Sequence, residues 1–380
     1  MALKKLLICI EWFTPGYKAG GPIQSCVNLC LALNKMYDIY VLTLDTDHGE
    51  TLPYTNIIAN KWQHQKALGV SVYYAQKTST SFKQLGAIIK EVNADYLCLN
   101  LLFSPKFVLY PLWLKFSNVI NCRVIISPRG ALYDSAISLK WWLKKPVLLM
   151  MKLMGIQGKT IFHATNKREE QAILQYFPDS QIRIADNLPN CLQHPLANLN
   201  KTAGSLDCIF IARIVPIKNL LFLLELLPQI SATIKLSIVG PIEDENYWEA
   251  CKKQIVLLPE NIVINIVGAM PNAQLENLLQ QHHLFILPTT GENFGHAIFE
   301  SLRAGRPVLI SDQTPWLNLT EQDAGWHLPL NNKDNFINIL EKAAAWNQQE
   351  FDVHVAAAWQ YAHNFINNPL LTKPYQELFK

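Results

Sequence analysis

The sequence predicts an α/β protein made of two doubly wound, parallel-sheet domains. Three observations lead there. Short apolar runs alternate with longer helical patterns, and the runs are apolar on both faces, as strands covered by helices on two sides must be. The alternation stops in a turn-rich stretch at 191–205, CLQHPLANLNKTAGS, and then starts afresh. The 380 residues exceed what one ordinary core organises, and with half of them hydrophobic and 17% charged the chain is packed rather than disordered.

Taken in order, the first strand is LLICI (6–10). It imitates a secretory signal, but its apolar core of about five residues before Glu11 falls short of the ~7–15 that a signal needs. A helix over SCVNLCLALNKM (25–36) leads to DIYVLTL (38–44) and then to VSVYYA (70–75). A helix from Ser81 to Asn93 precedes DYLCLN (95–100); VIISP (124–128), TIFHAT (160–165) and QIRI (181–184) complete the first set. The second set runs DCIFIAR (207–213), IKLSIVG (234–240), NIVINIVG (261–268), LFILP (284–288) and PVLIS (307–311), with helices near 219–230, 245–257, 272–281 and 295–304. The expected boundaries are a first domain at 1–190, a linker at 191–205, a second domain at 206–363 and a closing helical segment at 364–380.

Composition narrows the function. A net charge of +3 argues against a dedicated duplex nucleic-acid binder. The eight cysteines are scattered through apolar runs with no C-x-x-C, which reads as buried reduced thiols rather than disulfides or a metal site. No run reaches the ~18–20 uncharged apolar residues of a membrane span, and the reduced thiols lead to the expectation of a cytoplasmic protein.

Ligands of doubly wound sheets sit at the carboxyl ends of the strands. After the first strand, Gly20 and Gly21 open a helix in a turn that lets backbone approach an anion; a plain strand–helix turn reads equally well. Arg213 ends a strand, Lys218 follows five residues on, and Asn219 is placed to cap the next helix. Two cations at one strand end suit a diphosphate, or are two solvated charges beside a loop. Gly240 and Gly268 each end a strand and together leave a slot for a flat ring. The stretch TTGENFGHAIFESLRAGRPVLIS (289–311) carries Glu292 in a loop and Glu300 on a helix, with Asn293, Phe294 and Gly295 at the helix start. Carboxylates that flank a phosphate-binding helix end make sense as acceptors from hydroxyls on either side of a diphosphate. Taken singly, Glu300 reads as a solvated helix charge and Glu292 as a partner of the helix dipole.

Glu292, Phe294, Gly295 and Glu300 spell E-x-F-G-x-x-x-x-E, which resembles the donor-site signature of the retaining glycosyltransferases of family 4. FIARIVPIKN resembles that family's R-x-x-x-x-K element through Arg213 and Lys218, AGGPIQSCVNL its first glycine loop, and ISPRGALYDSAISLK and FHATNKREEQAI segments of its bacterial polysaccharide-assembly members. The resemblance implies a GT-B fold: two Rossmann-like domains facing a cleft, with the C-terminal helix crossing back to the first. It implies that Glu300 holds ribose hydroxyls, that Glu292 with Asn293, Phe294 and Gly295 holds sugar and diphosphate, and that Arg213 and Lys218 neutralise the leaving diphosphate. His296 adds a donor to the same oxygens or is a packed cap residue. No cofactor and no metal are expected, since fixed cations and helix N-termini can stabilise the charge that builds on the leaving diphosphate. Many relatives have a histidine where this chain has Ser127-Pro128-Arg129-Gly130; Arg129 contacts donor phosphate or an acceptor, or forms a surface pair.

The implied activity is transfer of a sugar from a nucleotide donor to a surface-glycan acceptor such as a lipid-linked O-antigen, capsule or lipopolysaccharide intermediate. A nucleotide-sugar epimerase or hydrolase of the same fold, and a silent nucleotide-sugar-binding subunit, are the alternatives. SLKWWLKKPVLLMMKLMGIQGK (138–159) mixes lysines with tryptophans and long apolar residues. It reads as a peripheral contact with the inner membrane face, or as a core helix with lysines on its wet side.

Overall fold

The computed structural model describes residues 3–138, 141–191 and 196–379. The chain divides into two compact units, Met1–Leu188 with Pro369–Lys380, and Pro189–Asn368.

The strands of the first unit are β1 (Lys4–Cys9), β2 (Tyr37–Leu44), β3 (Trp62–Gln65), β4 (Val70–Ala75), β5 (Tyr96–Asn100), β6 (Arg123–Ser127), β7 (Ile161–Ala164) and β8 (Gln181–Ile184). They form one sheet in the order β3-β4-β2-β1-β5-β6-β7-β8. All neighbours are parallel except β3, which runs antiparallel on the edge. Alternation within a strand sends side chains to opposite faces. Leu7 and Cys9 join Leu97, Leu99 and Ile126 on one face, while Leu6 and Ile8 join Cys98 and Ile125 on the other. Burial of both faces is what made these runs continuously apolar.

The helix Phe82–Val92 starts where expected because Ser81 and Gln84 form a reciprocal capping box. At the other end of the chain, Tyr375 is buried in the first unit's core and its hydroxyl donates to the Asp186 carbonyl at 2.8 Å. The last segment therefore belongs to the first unit. The helix before it, Gln348–Ile366, runs past the expected break at 363, and the non-helical stretch is 367–372.

The second unit holds β9 (Ser205–Ile211), β10 (Thr233–Val239), β11 (Ile262–Gly268), β12 (Leu284–Leu287), β13 (Val308–Ser311) and β14 (Gly325–Leu328). Their order is β11-β10-β9-β12-β13-β14, with every pairing parallel. Relabelled from the first strand this is 3-2-1-4-5-6, the doubly wound order, and the chain reverses direction between β9 and β12. In the first unit the same reversal lies between β1 and β5.

All eight cysteines are free. Six are buried; Cys122 is half-buried and Cys191 is exposed, so the expectation of buried thiols does not hold for Cys191.

Candidate functional site

In the second unit the residues singled out from sequence gather at the carboxyl ends of β9 to β12. Past the end of β9, Ala212 N–H donates to Val239 O at 3.0 Å and Ile214 N–H to Pro241 O at 2.9 Å, so the pairing with β10 continues and carries Arg213 along. Gly240 makes this possible. Its φ is +144°, and a Cβ there would lie 1.9 Å from the Ala212 carbonyl oxygen. Its N–H donates to the Gly268 carbonyl at 2.9 Å, which sets the two glycines side by side.

Arg213 pairs with Glu243, both about one-third exposed (35% and 36%). Lys218, at the end of the 3-10 turn Pro216–Lys218, pairs with Glu292, and these side chains are only 15% and 12% exposed. The next residue does not do what the sequence suggested. Asn219 lies in the left-handed region at φ 60° and makes no side-chain cap; its Nδ2 donates to the Pro288 carbonyl at 2.9 Å. It ties the β9 loop to the β12 loop instead. Thr289 Oγ1 donates to the Ile217 carbonyl at 2.9 Å and Thr290 N–H to the same oxygen at 2.8 Å. Glu292 N–H donates to Gln313 O at 3.0 Å. The loop bearing Glu292 is thus stitched on one side to the Lys218 turn and on the other to the loop after β13.

Gly295 caps the helix His296–Arg303 at φ 77°, a conformation that few side chains tolerate. Phe294 is 6% exposed, and its ring packs on Trp316 at 5.0 Å between centroids. The Trp316 indole N–H donates to the Phe294 carbonyl. The Phe294 side chain therefore anchors the turn from below. His296 stands half-buried at the helix start with its ring 4.7 Å from that of Phe294.

Glu300 keeps a minority of its surface accessible, yet protein packs densely about its carboxyl. Burial pushes that group up from 4.5 to about 7; Arg303 works against the rise and Glu276 adds to it. Arg303 bonds Glu276 at 2.6 Å and reaches the Asn190 carbonyl at 3.2 Å.

Residues 197–351 match the family described as glycosyl transferases, group 1. The match lies inside the second unit. The whole chain shares the GT-B fold with solved glycosyltransferases. It resembles HepE of Anabaena, in a complex with UDP and glucose, at a TM-score of 0.71 and 14% identity over 99% of this chain and 98% of that one. A sucrose-phosphate synthase from Thermosynechococcus elongatus gives 0.70 and 15% over 100% and 98%. WaaG, a glycosyltransferase involved in lipopolysaccharide biosynthesis, gives 0.63 and 13% over 98% of each chain. Against curated protein sequences the chain has no match.

Within the second unit, sequence reasoning found the ionic residues and missed their braces. Trp316, Glu276 and Arg303 carry no local motif; each acts through a partner far along the chain. The first-unit candidates lie apart in sequence. Gly20, at φ 67°, caps the helix Gly21–Leu33, and the loop before it is fixed by Asp47, whose Oδ2 accepts from the N–H groups of Tyr17 at 2.8 Å and Lys18 at 3.2 Å. Arg129 bonds Asn100 and Asn187 and has no carboxylate partner among the described residues, so it is not a surface ion pair. Also among the described residues, no cluster of three or more His, Cys, Asp or Glu side chains suits a metal ion, and no helix is long and apolar enough to cross a membrane.

Proposed function

We propose that the protein is a retaining, metal-independent glycosyltransferase of family 4 that moves a sugar from a nucleoside-diphosphate donor to a glycan or lipid-linked acceptor. The observation that carries this reading is the mostly buried Lys218–Glu292 pair at the β9/β12 reversal, beside the start of the helix His296–Arg303. Breaking a glycosidic bond to a diphosphate builds negative charge on the leaving oxygens. Fixed cations and a helix N-terminus stabilise that charge without reorganising. Arg213 and Lys218 supply the cations in this reading, and His296 stands at the helix start. Glu292 holds Lys218 in place and accepts from sugar hydroxyls. Glu300 accepts from the ribose, and the glycine pair Gly240 and Gly268 leaves backbone-only walls for the base. Gly20 and Gly21 line the acceptor side. Protein charges do the neutralising here, which is why no metal is required.

UDP sugars are the first donors to test, because the HepE complexes hold UDP and glucose. A ligand that binds only the native state raises the melting temperature by mass action. A shift with one nucleoside diphosphate and its sugar, unchanged by EDTA, supports the reading. The absence of a shift with every such nucleotide overturns it.

The acceptor side of the reading rests on the helix Trp141–Leu153. Leu148 and Met151 face inward. The opposite stripe is apolar throughout: Trp142, Leu143, Pro146, Leu149, Met150 and Leu153 are all exposed, and Leu153 is 80% so. The wet side thus carries apolar residues, which argues against an ordinary core helix. Lys145 and Lys152 flank the stripe, and Lys145 lies 4.6 Å above the Trp141 ring. Such a face fits the interface of an anionic membrane, where lipid-linked acceptors reside. In this reading the protein works at the cytoplasmic leaflet.

A further inference from the structure

Arg129 differs from the donor-site cations in what holds it. Its Nε and Nη2 donate to Asn100 Oδ1, both at 3.2 Å, and its Nη1 donates to Asn187 Oδ1. Both asparagines are buried, at 1% and 3% exposure, while Arg129 itself is half-buried. A carboxamide oxygen orients a guanidinium without cancelling its charge; an aspartate in either place would do both. Three of the five N–H donors are used this way, which leaves two for something else.

The backbone points the same way. Arg129 is left-handed at φ 55°, and so is Leu101, at φ 68°, one residue beyond the end of the neighbouring strand β5. Leu101 N–H donates to Ser127 O at 3.0 Å, which couples the two strand ends. Non-glycine residues persist in this region only where their surroundings enforce it, and such residues gather at functional sites. The enforcement here is visible. Gly130 N–H donates to Glu169 Oε1 at 2.5 Å, and Glu169 Oε2 accepts from Thr165 N at 2.8 Å and Thr165 Oγ1 at 2.6 Å. Glu169 is fully buried. A buried carboxylate thus clamps the turn, while the charge on Arg129 is left standing. The site adjoins the β1/β5 reversal, where a doubly wound sheet binds its ligands.

We propose that Arg129 is the docking point in the first unit for a substrate oxyanion, a phosphate or a carboxylate. The proposal rests on the transferase reading, and within it the oxyanion comes from the donor diphosphate or from an anionic group of the acceptor.

The test compares wild type with Arg129→Met and Arg129→Lys by calorimetric titration. The probes are UDP, glucose 1-phosphate, glucuronic acid and neutral glucose. Wild type is expected to bind at least one anionic probe more tightly than glucose, and Arg129→Met to lose about ten- to hundredfold of that affinity, the range for hydrogen bonds to a charged group. Arg129→Lys keeps the charge without the fork and retains part of the affinity. It also covers the case in which Arg129→Met fails to fold. A loss confined to UDP assigns the oxyanion to the donor. A loss for glucose 1-phosphate or glucuronic acid with UDP unchanged assigns it to the acceptor. A purely structural role would lower the melting temperature and leave the anionic-to-neutral ratio intact, and that result overturns the proposal, as does unchanged affinity for every anionic probe. Failure of all nucleoside diphosphates to bind wild type is a different outcome. It removes the transferase reading, and the anionic sugars alone then decide the role of Arg129.

Discussion

Arg129 of the first unit and the candidate-site cations of the second are held in opposite ways. In the second unit Arg213, Lys218 and Arg303 each face a glutamate. In the first unit Arg129 faces two carboxamides. A paired cation is positioned and neutral in sum until a ligand reaches it, and losing its partner strands a poorly solvated charge. A cation on carboxamides stays positive while it waits. The first arrangement suits charge that appears during reaction, as on a leaving diphosphate. The second suits charge already present on a substrate.

The largest effect expected from this contrast lies at Lys218. Lys218→Met should cut turnover with the cognate donor by about 10²–10³-fold, the scale for removing one preorganised electrostatic group. It also strands Glu292, so the double variant with Glu292→Gln is the stability control: it should melt closer to wild type and stay inactive. Recovery of activity in the double variant would break the account of Lys218.

The two glycines sharpen the picture next. Gly240→Ala drives a methyl group into the Ala212 carbonyl, whereas the same change at Gly268 meets nothing within 4 Å. Gly268→Ala then costs only its left-handed backbone, roughly 1–2 kcal/mol. Gly240→Ala should cost more than that in denaturant unfolding. Equal losses would mean that the strand ends relax more freely than their hydrogen bonds suggest.

Glu300 offers a test by pH. Its folded value of about 7 exceeds its ordinary 4.5, so between those values the folded domain binds the proton more tightly than the unfolded chain does. Stability of the ligand-free protein therefore falls as pH rises from about 4.5 through 7, by at most ~3 kcal/mol from this group. Glu300→Gln should flatten that part of the profile. A donor whose ribose hydroxyls bond the carboxylate should bind more tightly above pH 7 than below it.

The smallest expected change concerns the apolar stripe. Trp142→Ser with Leu149→Ser should reduce flotation with anionic phosphatidylglycerol vesicles severalfold, while the melting temperature stays within a degree or two. Both residues are more than half exposed, and surface substitutions of this kind stay within about 0.5 kcal/mol. Undiminished flotation would remove the membrane contact.

Most strands were legible because they read as apolar runs, and central ones such as β5, β12 and β13 are buried on both faces. β3 and β14 were not: WQHQ is mostly polar and pairs antiparallel on an exposed edge, and GWHL is a four-residue edge strand that includes a glycine and a histidine. At the site, Arg213, Lys218, Glu292 and Glu300 stood in recognisable spacing. Asn219 misled, since asparagine serves helix caps and left-handed turns equally well, and only the distant Pro288 carbonyl decides between them. Nor could the sequence join Arg129 to Asn100 and Asn187, which come from separate segments brought together by the β5–β6 pairing and the chain after β8.

The central claim is that the second unit holds a nucleoside diphosphate through Glu300 and Lys218 without a metal. Calorimetric titration of wild type and Glu300→Ala with UDP, GDP and ADP in EDTA tests it most directly. The account predicts that one nucleotide binds wild type in EDTA, and that Glu300→Ala binds it at least tenfold more weakly, the scale of about 1.4 kcal/mol for lost ribose hydrogen bonds, with its melting curve intact. Equal affinity for the two proteins, or binding to wild type only when a divalent cation is restored, would contradict it.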